Sequence, residues 1–336
     1  MKTIPPPLEA KKGWPWDTPV DNQQFEISSD WPRISVLMPS YNQKKFIEQA
    51  VRSLLCQNYS NVELIVIDGG SNDGTVEVIK YYEPWIARWV SERDNGMAEA
   101  LNKGFRYATG DLIGWQNTDD YYGPGSLMAC AKAAVEFPEY EIYHGRTYFI
   151  DTTREVTSEI HSGEFRLLER AESFPLIDLP NQAAFIRRTV LGDKEFVDES
   201  YKNGMDTELF ARLILSGCKT KYVDGITGYY RVHANARTFA EGSTSSTEAC
   251  RLCVETLKRT DLPHDLRRQI YKGFRKMLIA LFRTGDTSNF CRYAKQYFQL
   301  TEKGDVDFDM RARMMISFVA PGLIKVLMRR LYRKPE

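Results

Sequence analysis

The hydrophobic pattern of the first half of the chain alternates between short apolar runs and longer segments with helical spacing. The apolar runs are RISVLMPSYN (33–42), VELIVID (62–68), WIARWVSE (85–92) and DLIGWQN (111–117). Their length and β-branched content are typical of buried strands. A segment with apolar residues at helical spacing follows each run, beginning with KKFIEQAVRSLLCQN. The alternation predicts an α/β fold, a Rossmann-like and mostly parallel sheet with helices on both faces.

The pattern loosens in the second half of the chain. Strands are predicted in EIYHGRTYFID and DLPNQAAFIRR (178–188), an amphipathic helix in MDTELFARLILSGC (205–218), a strand and turn in KTKYVDGITGYYRVH (219–233), and helices over 245–300. We therefore expect three parts. Residues 1–32, rich in proline and tryptophan, form an extended arm, residues 33–240 form the α/β domain, and residues 241–336 form a helical C-terminal extension.

Acidic residues stand where the predicted strands end. Asp68 closes the second run, Asp94 follows the third, and Asp119 and Asp120 follow the fourth. Because parallel strands present their carboxyl ends along one edge of a sheet, we expect these acids to converge on one ligand. Two adjacent carboxylates suit Mg²⁺ or Mn²⁺, which in turn hold phosphate oxygens. Taken alone, such a pair is also common in ordinary surface turns.

Composition narrows the class of protein. The 336 residues include 45 Lys and Arg against 45 Asp and Glu, so there is no net basic field for nucleic acid. The sequence lacks GxxxxGK[ST], and no GxGxxG follows a strand, which excludes P-loop and standard dinucleotide-binding proteins. Six scattered cysteines and an N-terminus without an apolar core predict a cytoplasmic protein with reduced thiols. Cys250 and Cys253 form a lone CxxC, whose spacing favours two neighbours on a helix over a zinc site.

The C-terminal stretch ISFVAPGLIKVLMRRLYRK (316–334) mixes apolar and basic residues. One interpretation is a basic helix in peripheral contact with the inner face of the plasma membrane. The other is a helix docked on its own domain with its basic face in solvent. The chain has no run of eighteen uncharged apolar residues, so no transmembrane helix is predicted.

Five stretches resemble family 2 glycosyltransferases of the GT-A fold, in the order and spacing of that family. They are SVLMPSYNQKKFIEQAVRSLLCQNY, ELIVIDGGSNDGT, SERDNGMAEALNKGFRYATGDLIGWQNTDD, MDTELFARL and YRVH. The resemblance covers about residues 33–235. It implies that residues 33–125 bind a nucleotide sugar and that residues 126–240 bind the acceptor.

The resemblance also implies donor-binding roles for residues at the strand ends. Pro39, Tyr41 and Asn42 would border the nucleotide base, Asp68 would contact the base, and Asp94 would help to hold the nucleoside. Gly69, which follows Asp68, replaces the second acid of the family pattern.

The remaining site residues follow from the same resemblance. Asn102, in an AxNxG segment, would face the donor. Thr118, Asp119 and Asp120 take the place of the DxD motif with its first acid missing. Asp119 would contact the ribose or sugar, Asp120 would bind the metal, and His233 would reach the metal or the diphosphate.

Asp206 matches the general base of the family, which takes the proton of the acceptor hydroxyl. A positioned base is worth roughly 10² to 10⁴ in rate. Because aspartate is also a favoured helix cap, a capping role for Asp206 stays open beside the catalytic one.

Together these features predict an inverting, metal-dependent glycosyltransferase of the hexosyltransferase type. It would move a sugar from a nucleotide diphosphate sugar, a UDP-sugar, to a hydroxyl of a glycan or lipid-linked acceptor, in cell-surface polysaccharide or glycolipid biosynthesis. One alternative is a non-catalytic relative that binds a sugar nucleotide or glycan, since the DxD motif is incomplete. A sugar nucleotidyltransferase is the other, but PSYNQKK lacks the glycine-rich loop that such an enzyme needs after its first strand.

Overall fold

The computed structural model describes residues 4–17, 31–160, 174–175, 179–192, 195–233, 242–300, 308–319, 321–322 and 324. The chain divides into two compact units. The first contains Met1–Phe165 and Asp178–His233, and the second contains Arg166–Ile177 and Ala234–Glu336.

The first unit is built on one nine-stranded sheet. Its strands are β1 (Ile34–Ser40), β2 (Val62–Asp68), β3 (Arg88–Ser91), β4 (Leu112–Trp115), β5 (Tyr121–Tyr122), β6 (Ile142–Ile150), β7 (Val156–Ile160), β8 (Ala184–Arg187) and β9 (Thr220–Arg231). Their order is β3-β2-β1-β4-β8-β6-β9-β5, and β7 pairs with β6. The first four strands are parallel, whereas β8 runs antiparallel to both of its neighbours. The predicted α/β architecture is thus confirmed.

Nine α-helices lie within the described residues. In the first unit they are α1 (Ile47–Leu55), α2 (Thr75–Tyr82), α3 (Met97–Tyr107), α4 (Ser126–Glu136) and α5 (Met205–Leu215). In the second unit they are α6 (Gly242–Leu257), α7 (His264–Arg283), α8 (Thr287–Leu300) and α9 (Phe308–Val319).

Strand β1 shows why the apolar runs are continuous rather than alternating. All seven of its residues are buried, because helices cover both faces of the sheet. Val36 and Met38 belong to a core shared with α1, α2 and α4. Leu37 faces the other side, towards Gly104 of α3. A Cβ atom added at Gly104 would lie 3.4 Å from Ile67, so the missing side chain lets α3 approach the sheet closely.

The N-terminal arm packs against α1 over residues 4–17. The backbone N–H of Leu8 donates to Glu48 at 2.6 Å, and the Arg52 guanidinium donates to the Pro5 carbonyl at 2.7 Å. The Trp14 indole donates to the Tyr122 carbonyl at 2.7 Å. The arm therefore forms part of the surface next to the start of α1.

Strand β9 differs from the sequence prediction of a strand followed by a turn. Residues Thr220–Arg231 form one twelve-residue strand. Its glycines serve close packing instead: a Cβ at Gly225 would lie 2.7 Å from Ala129, and a Cβ at Gly228 would lie 2.3 Å from the Gln182 carbonyl. A glycine in a strand marks such a close approach as readily as a turn.

The second unit contains the lone CxxC and part of the basic C-terminal stretch. Cys250 and Cys253 are both buried in α6, one turn apart, as their spacing predicts. Most of residues 316–334, and with them the predicted membrane contact, lie outside the described residues. Among the helices that are described, none is long and apolar enough to cross a bilayer.

Candidate active site

The carboxyl ends of β1, β2 and β3 form one rim, because Ser40, Asp68 and Ser91 are register partners. Asp68 is fully buried there. Its carboxylate accepts hydrogen bonds from the backbone N–H groups of Gly70 (3.1 Å) and Ser71 (2.9 Å) and from the hydroxyls of Ser71 (2.5 Å) and Ser91 (2.7 Å). Asp68 thus fixes the turn after β2 and joins it to β3.

The loop after β1 is tied to the same turn. Asn42 has a φ of 52°, in the left-handed region that asparagine tolerates better than most residues. Its backbone N–H donates to the Ser71 hydroxyl at 2.7 Å, and its side-chain oxygen accepts from the Asn72 N–H at 3.0 Å. The adjacent Tyr41 is 62% exposed, so a large aromatic ring stands free on a rigid rim. Pro39 is buried at the end of β1.

Asp94 lies against Gly69, the position where the second acid of the family pattern is missing. A Cβ atom at residue 69 would lie 3.0 Å from an Asp94 carboxylate oxygen. Burial raises the pKa of the Asp94 carboxyl, although a hydrogen bond from the Gly96 N–H opposes the shift. The carboxylate of Asp94 therefore occupies the space that a side chain at residue 69 would need.

The acid pair after β4 is held by residues that are distant in sequence. Asp120 is only 2% exposed. One carboxylate oxygen accepts from the Arg231 N–H at 2.9 Å, and the other accepts from the side-chain amides of Gln182 (2.9 Å) and Asn117 (3.1 Å). Burial, and after it the negative charge of Asp119, raise the pKa of Asp120 to about 8.

Asp119 is the more exposed member of the pair, and it meets His233. Its carboxylate oxygen lies 3.1 Å from Nε2 of His233. The imidazole packs against the ring of Phe46, with the ring centroids 5.1 Å apart. The structure therefore brings the acid pair and His233 together, with the histidine beside Asp119, whereas the sequence assigned the metal to Asp120 and His233.

Arg231 is a component of this site that the sequence analysis missed. It is 2% exposed, and its guanidinium donates to the carbonyl of Asp119 at 2.9 Å and to the side chain of Gln49 at 2.8 Å. Burial lowers its pKa, but the two acids oppose that shift, and an arginine keeps its charge in proteins. Arg231 is thus a buried cation that supports both acids. Its position in the YRVH stretch, two residues before His233, could have indicated that Arg231 belongs to the site.

A divalent cation fits the exposed side of the pair. Asp119 and His233 offer an oxygen and a nitrogen at close range, and a cation there would relieve the like charge of the two acids. Mg²⁺ and Mn²⁺ are commonly held by one or two protein side chains together with substrate phosphates. Within the described part of the chain, no three His, Cys, Asp or Glu residues are grouped for a metal ion. The geometry suits a metal shared with a ligand better than a closed protein site.

Asn102 does not lie at the rim. It is fully buried in α3, and its amide nitrogen donates to the carbonyl of Val197 (3.0 Å) and to Glu199 (2.9 Å). Its amide oxygen accepts from the N–H groups of Phe196 (2.8 Å) and Val197 (3.0 Å). All four hydrogen-bonding positions of the amide hold the segment 196–199, so Asn102 positions that segment instead of facing a donor.

Asp206 is the second residue of α5, which begins at Met205. The N-cap residue is Gly204, so Asp206 is not the cap that the alternative interpretation required. Its carboxylate accepts from the N–H of Thr207 at 2.7 Å. An acid in the first turn of a helix is stabilised by the helix dipole, and this structural role is compatible with a catalytic one.

Comparisons with known proteins bear on the family and the fold of the chain. The sequence model of the family described as glycosyl transferase family 2 matches residues 35–193. An uncharacterised glycosyltransferase of Mycobacterium tuberculosis is 36% identical over 105 residues, which are 31% of this chain and 40% of that protein. An uncharacterised glycosyltransferase of Nostoc is 27% identical over 239 residues, which are 65% of this chain and 70% of that protein.

Solved structures share the fold at low sequence identity. TarS residues 1–349 from S. aureus, in complex with UDP-GlcNAc, aligns with a TM-score of 0.65 and 16% identity, covering 90% of this chain and 91% of that one. The mannosyltransferase PcManGT from Pyrobaculum calidifontis, in complex with GDP-Man and Mn²⁺, aligns with a TM-score of 0.56 and 16% identity, covering 91% and 89%. The chain is thus similar to glycosyl transferase family 2 over residues 35–193, and it has the GT-A fold.

Proposed function

We propose that this protein transfers a sugar from a nucleotide diphosphate sugar to a hydroxyl group of a glycan or lipid-linked acceptor, with inversion at the anomeric carbon. The observation that carries the proposal is the acid pair with His233 at the end of β4, next to a rim built by Asp68. The match of residues 35–193 to the glycosyl transferase family 2 model supports the reaction class. The UDP-GlcNAc complex of TarS supports UDP as the nucleotide. A role in cell-surface polysaccharide or glycolipid biosynthesis, at the cytoplasmic face of the membrane, is part of the same proposal.

The rim supplies the nucleoside side of the site. The exposed ring of Tyr41 offers a face on which a base stacks, beside Pro39 and Asn42. Asp68 keeps the neighbouring turn in one conformation, so the backbone groups that surround the base need no reordering when it binds. Asp94 accepts hydrogen bonds from the nucleoside, standing in for the missing acid at residue 69.

The acid pair supplies the phosphate side. Asp119 and His233 would hold Mn²⁺ or Mg²⁺, and Asp120 behind them is an inner acid kept in place by Gln182 and Arg231. The bound metal neutralises charge that develops on the departing diphosphate. Arg231 holds Asp119 and Asp120 in position through its hydrogen bonds, whether or not a metal is bound. This assignment moves the metal from Asp120, where the family resemblance places it, to Asp119.

Asp206 is the general base of the proposed reaction. Its carboxylate takes the proton of the acceptor hydroxyl while the acceptor oxygen bonds to the anomeric carbon. The bond from that carbon to the diphosphate oxygen breaks at the same time, and its electron pair leaves with the diphosphate. Attack opposite the leaving group inverts the anomeric centre.

A non-catalytic binding relative is the second candidate. The burial of Asp120 among three protein hydrogen-bond donors and the glycine at residue 69 favour it, because both depart from the family's acid pattern. Such a protein would bind a sugar nucleotide without turning it over, so product formation separates the two candidates.

The proposal is tested by thermal unfolding with a panel of nucleoside diphosphates, with and without Mn²⁺. We expect UDP to stabilise the protein in a Mn²⁺-dependent manner, by roughly 2.7 kcal/mol at 100 times its dissociation constant. Asp119→Asn should lose the Mn²⁺ dependence, whereas Asp120→Asn should keep a part of it. Asp265→Asn, an exposed acid in the second unit, is the matched control. An undiminished Mn²⁺-dependent shift in Asp119→Asn would overturn the metal assignment, and no shift with any nucleotide would overturn the donor site.

A further inference from the structure

A cavity of about 720 Å³ opens in the first unit beside the proposed active site. It lies between the N-terminal arm, the start of α1 and the turn that joins β6 to β7. Its lining includes the basic side chains of Lys11, Lys44, Lys45, Arg154 and Arg231. Neither Tyr41 nor Asp68 of the nucleotide rim is among the lining residues, so the cavity is distinct from the rim.

Two of the three acids in the lining are committed to structural hydrogen bonds. Glu48 is buried and accepts from the Leu8 N–H at 2.6 Å and from the Tyr82 hydroxyl at 2.9 Å. Asp73 accepts from the N–H groups of Lys44 (3.1 Å) and Thr75 (3.0 Å). Both carboxylates are therefore engaged by neutral donors of the fold, and neither forms an ion pair with a lysine of the lining within the described residues.

The third acid neutralises one cation only. Glu9 pairs with Lys11 at 3.3 Å. Lys44, Lys45 and Arg154 are exposed, and within the residues that the structure describes none of the three has a carboxylate partner at ion-pair distance. The Arg154 guanidinium donates to the carbonyl of Lys12 at 3.0 Å, and the Lys45 ammonium lies 5.2 Å from the centre of the Phe46 ring. In a chain of zero net charge, the mouth of this cavity carries a local excess of positive charge.

The arrangement of these cations suits a phosphate group. Lys44 and Lys45 come from the loop after β1, and Arg154 comes from the turn after β6, so their donors approach from different directions. A phosphate presents oxygens in several directions, whereas a carboxylate presents two in one plane. Lysine binds phosphate as a point charge, and arginine adds directed N–H donors.

The rest of the cavity is suited to a sugar ring. Its volume exceeds that of one phosphate, and the aromatic side chains of Trp16 and Phe46 line it. The hydroxyl groups of Thr152 and Thr153 contribute polar contacts on the opposite element. Lys11 lies 4.7 Å from the centre of the Trp16 ring and Lys45 lies 5.2 Å from that of Phe46, so the two rings place cations along the lining, beside polar groups that can bond sugar hydroxyls.

The floor of the cavity touches the back of the acid pair. Phe46 lines the cavity and packs against His233, with the ring centroids 5.1 Å apart. Arg231 lines the cavity and donates to the carbonyl of Asp119. A ligand in the cavity would therefore contact the two residues that position the acids and the histidine.

We infer that this cavity is a second ligand site, separate from the nucleotide rim, which binds a phosphorylated sugar. The sugar part of the ligand rests on the proposed function, and the phosphate part rests on the charges alone. Occupancy of the cavity supports the acid pair through Phe46 and Arg231.

The test compares three probes that differ in one group: glucose 6-phosphate, glucuronate and glucose. Their binding to the full chain is measured by saturation-transfer NMR, in EDTA and at constant ionic strength, so that neither a metal nor general screening contributes. We expect glucose 6-phosphate to bind at least tenfold more tightly than glucuronate and glucose. The double variant Lys44→Gln/Lys45→Gln and the single variant Arg154→Gln should each lose that preference.

A double variant of two exposed lysines outside the cavity, Lys80→Gln/Lys258→Gln, is the matched control and should bind glucose 6-phosphate as the wild type does. Equal binding of the three probes, or full binding by Lys44→Gln/Lys45→Gln, would overturn the inference. The Mn²⁺-dependent shift with UDP should survive in the cavity variants. Its parallel loss would assign Lys44 and Lys45 to the donor site, which also overturns a separate cavity site. Phosphate binding without any nucleotide shift would overturn the proposed function alone.

Discussion

Asp68 and Asp120 are both buried carboxylates at strand ends, yet their surroundings differ. Asp68 accepts four hydrogen bonds from the turn that follows it and from the next strand. Asp120 accepts three, two of them from β9 and from the segment before β8, and has a second acid beside it. The rim around Asp68 is thus complete in itself, in the sense that all four hydrogen bonds to the carboxylate come from the turn after β2 and from β3. Burial and the charge of Asp119 raise the pKa of Asp120, so a bound cation would stabilise the ionised pair, as a metal and phosphate site requires.

The proposed base, Asp206, belongs to neither of these two regions. Its substitution should therefore slow transfer without weakening donor binding. Asp206→Asn keeps the shape of the side chain but cannot take a proton. We expect transfer to fall by roughly 10²- to 10⁴-fold, with the dissociation constant of the donor unchanged. Single-turnover transfer and calorimetric donor binding measure the two quantities. Transfer at the wild-type rate would leave Asp206 with only a structural role in the first turn of α5.

Substitution of Arg231 tests whether the acid pair depends on a buried cation. Arg231→Gln leaves Asp120 and Asp119 without their buried positive neighbour, so we expect a loss of about 3 kcal/mol in the free energy of unfolding. Arg146→Gln removes a cation that is paired with the exposed Asp224, and it should cost less than about 1 kcal/mol. Urea unfolding measures both variants.

Arg231→Lys distinguishes charge from geometry in the same experiment. A lysine keeps the charge but cannot donate to Asp119 and Gln49 through one rigid fork, so its stability should lie between those of the wild type and Arg231→Gln. Equal losses for Arg231→Gln and Arg146→Gln would show that the acid pair needs no buried cation.

The acid pair should also make the stability of the protein depend on pH. The pKa of Asp120 is raised from 3.8 to about 8, so the folded protein holds a proton that the unfolded chain releases. The stability that this group contributes is fully present below about pH 4 and is lost as the pH rises through about 8. Asp120→Asn removes the titration. The free energy of unfolding of the wild type, minus that of Asp120→Asn, should therefore fall between pH 4 and pH 8.

Urea unfolding at several pH values, without metal, measures this difference, and a rise with pH would contradict the raised pKa. Asp265→Asn, which removes an exposed acid in the second unit, is the comparison variant.

The rim was easier to predict from the sequence than the acid pair. The run VELIVID matches β2 residue for residue, and the donors to Asp68 lie 2 to 23 positions away. The partners of Asp120 at Gln182 and Arg231 lie 62 and 111 positions away. Nothing local marks such residues, because the sheet brings them together only when β8 and β9 have both paired with β6.

The family resemblance named residues more reliably than it named their contacts. It pointed to the acid pair and to His233, but it did not indicate that His233 meets Asp119. It placed Asn102 at the donor, whereas the amide of Asn102 is used by residues 196–199. Side-chain contacts of this kind depend on how α3 and its neighbouring loop pack, which periodicity does not specify. The strand and turn predicted in β9 failed for a related reason, since Gly225 packs against α4.

The smallest expected effect tests whether the rim is complete in itself. Ser91→Ala removes one of the four donors to Asp68 and leaves the two backbone donors in place. Because the carboxylate keeps its other hydrogen bonds, we expect a loss of only about 1 kcal/mol in the free energy of unfolding and a donor affinity within about threefold of the wild type. Ser126→Ala, which removes a buried hydroxyl that bonds backbone carbonyls away from the rim, is the control for general stability. Ser91→Ala could instead lose much donor affinity while being as stable as Ser126→Ala. That result would mean that β3 holds Asp68 in the orientation needed for binding. The rim would then depend on a contact between strands, as the acid pair does.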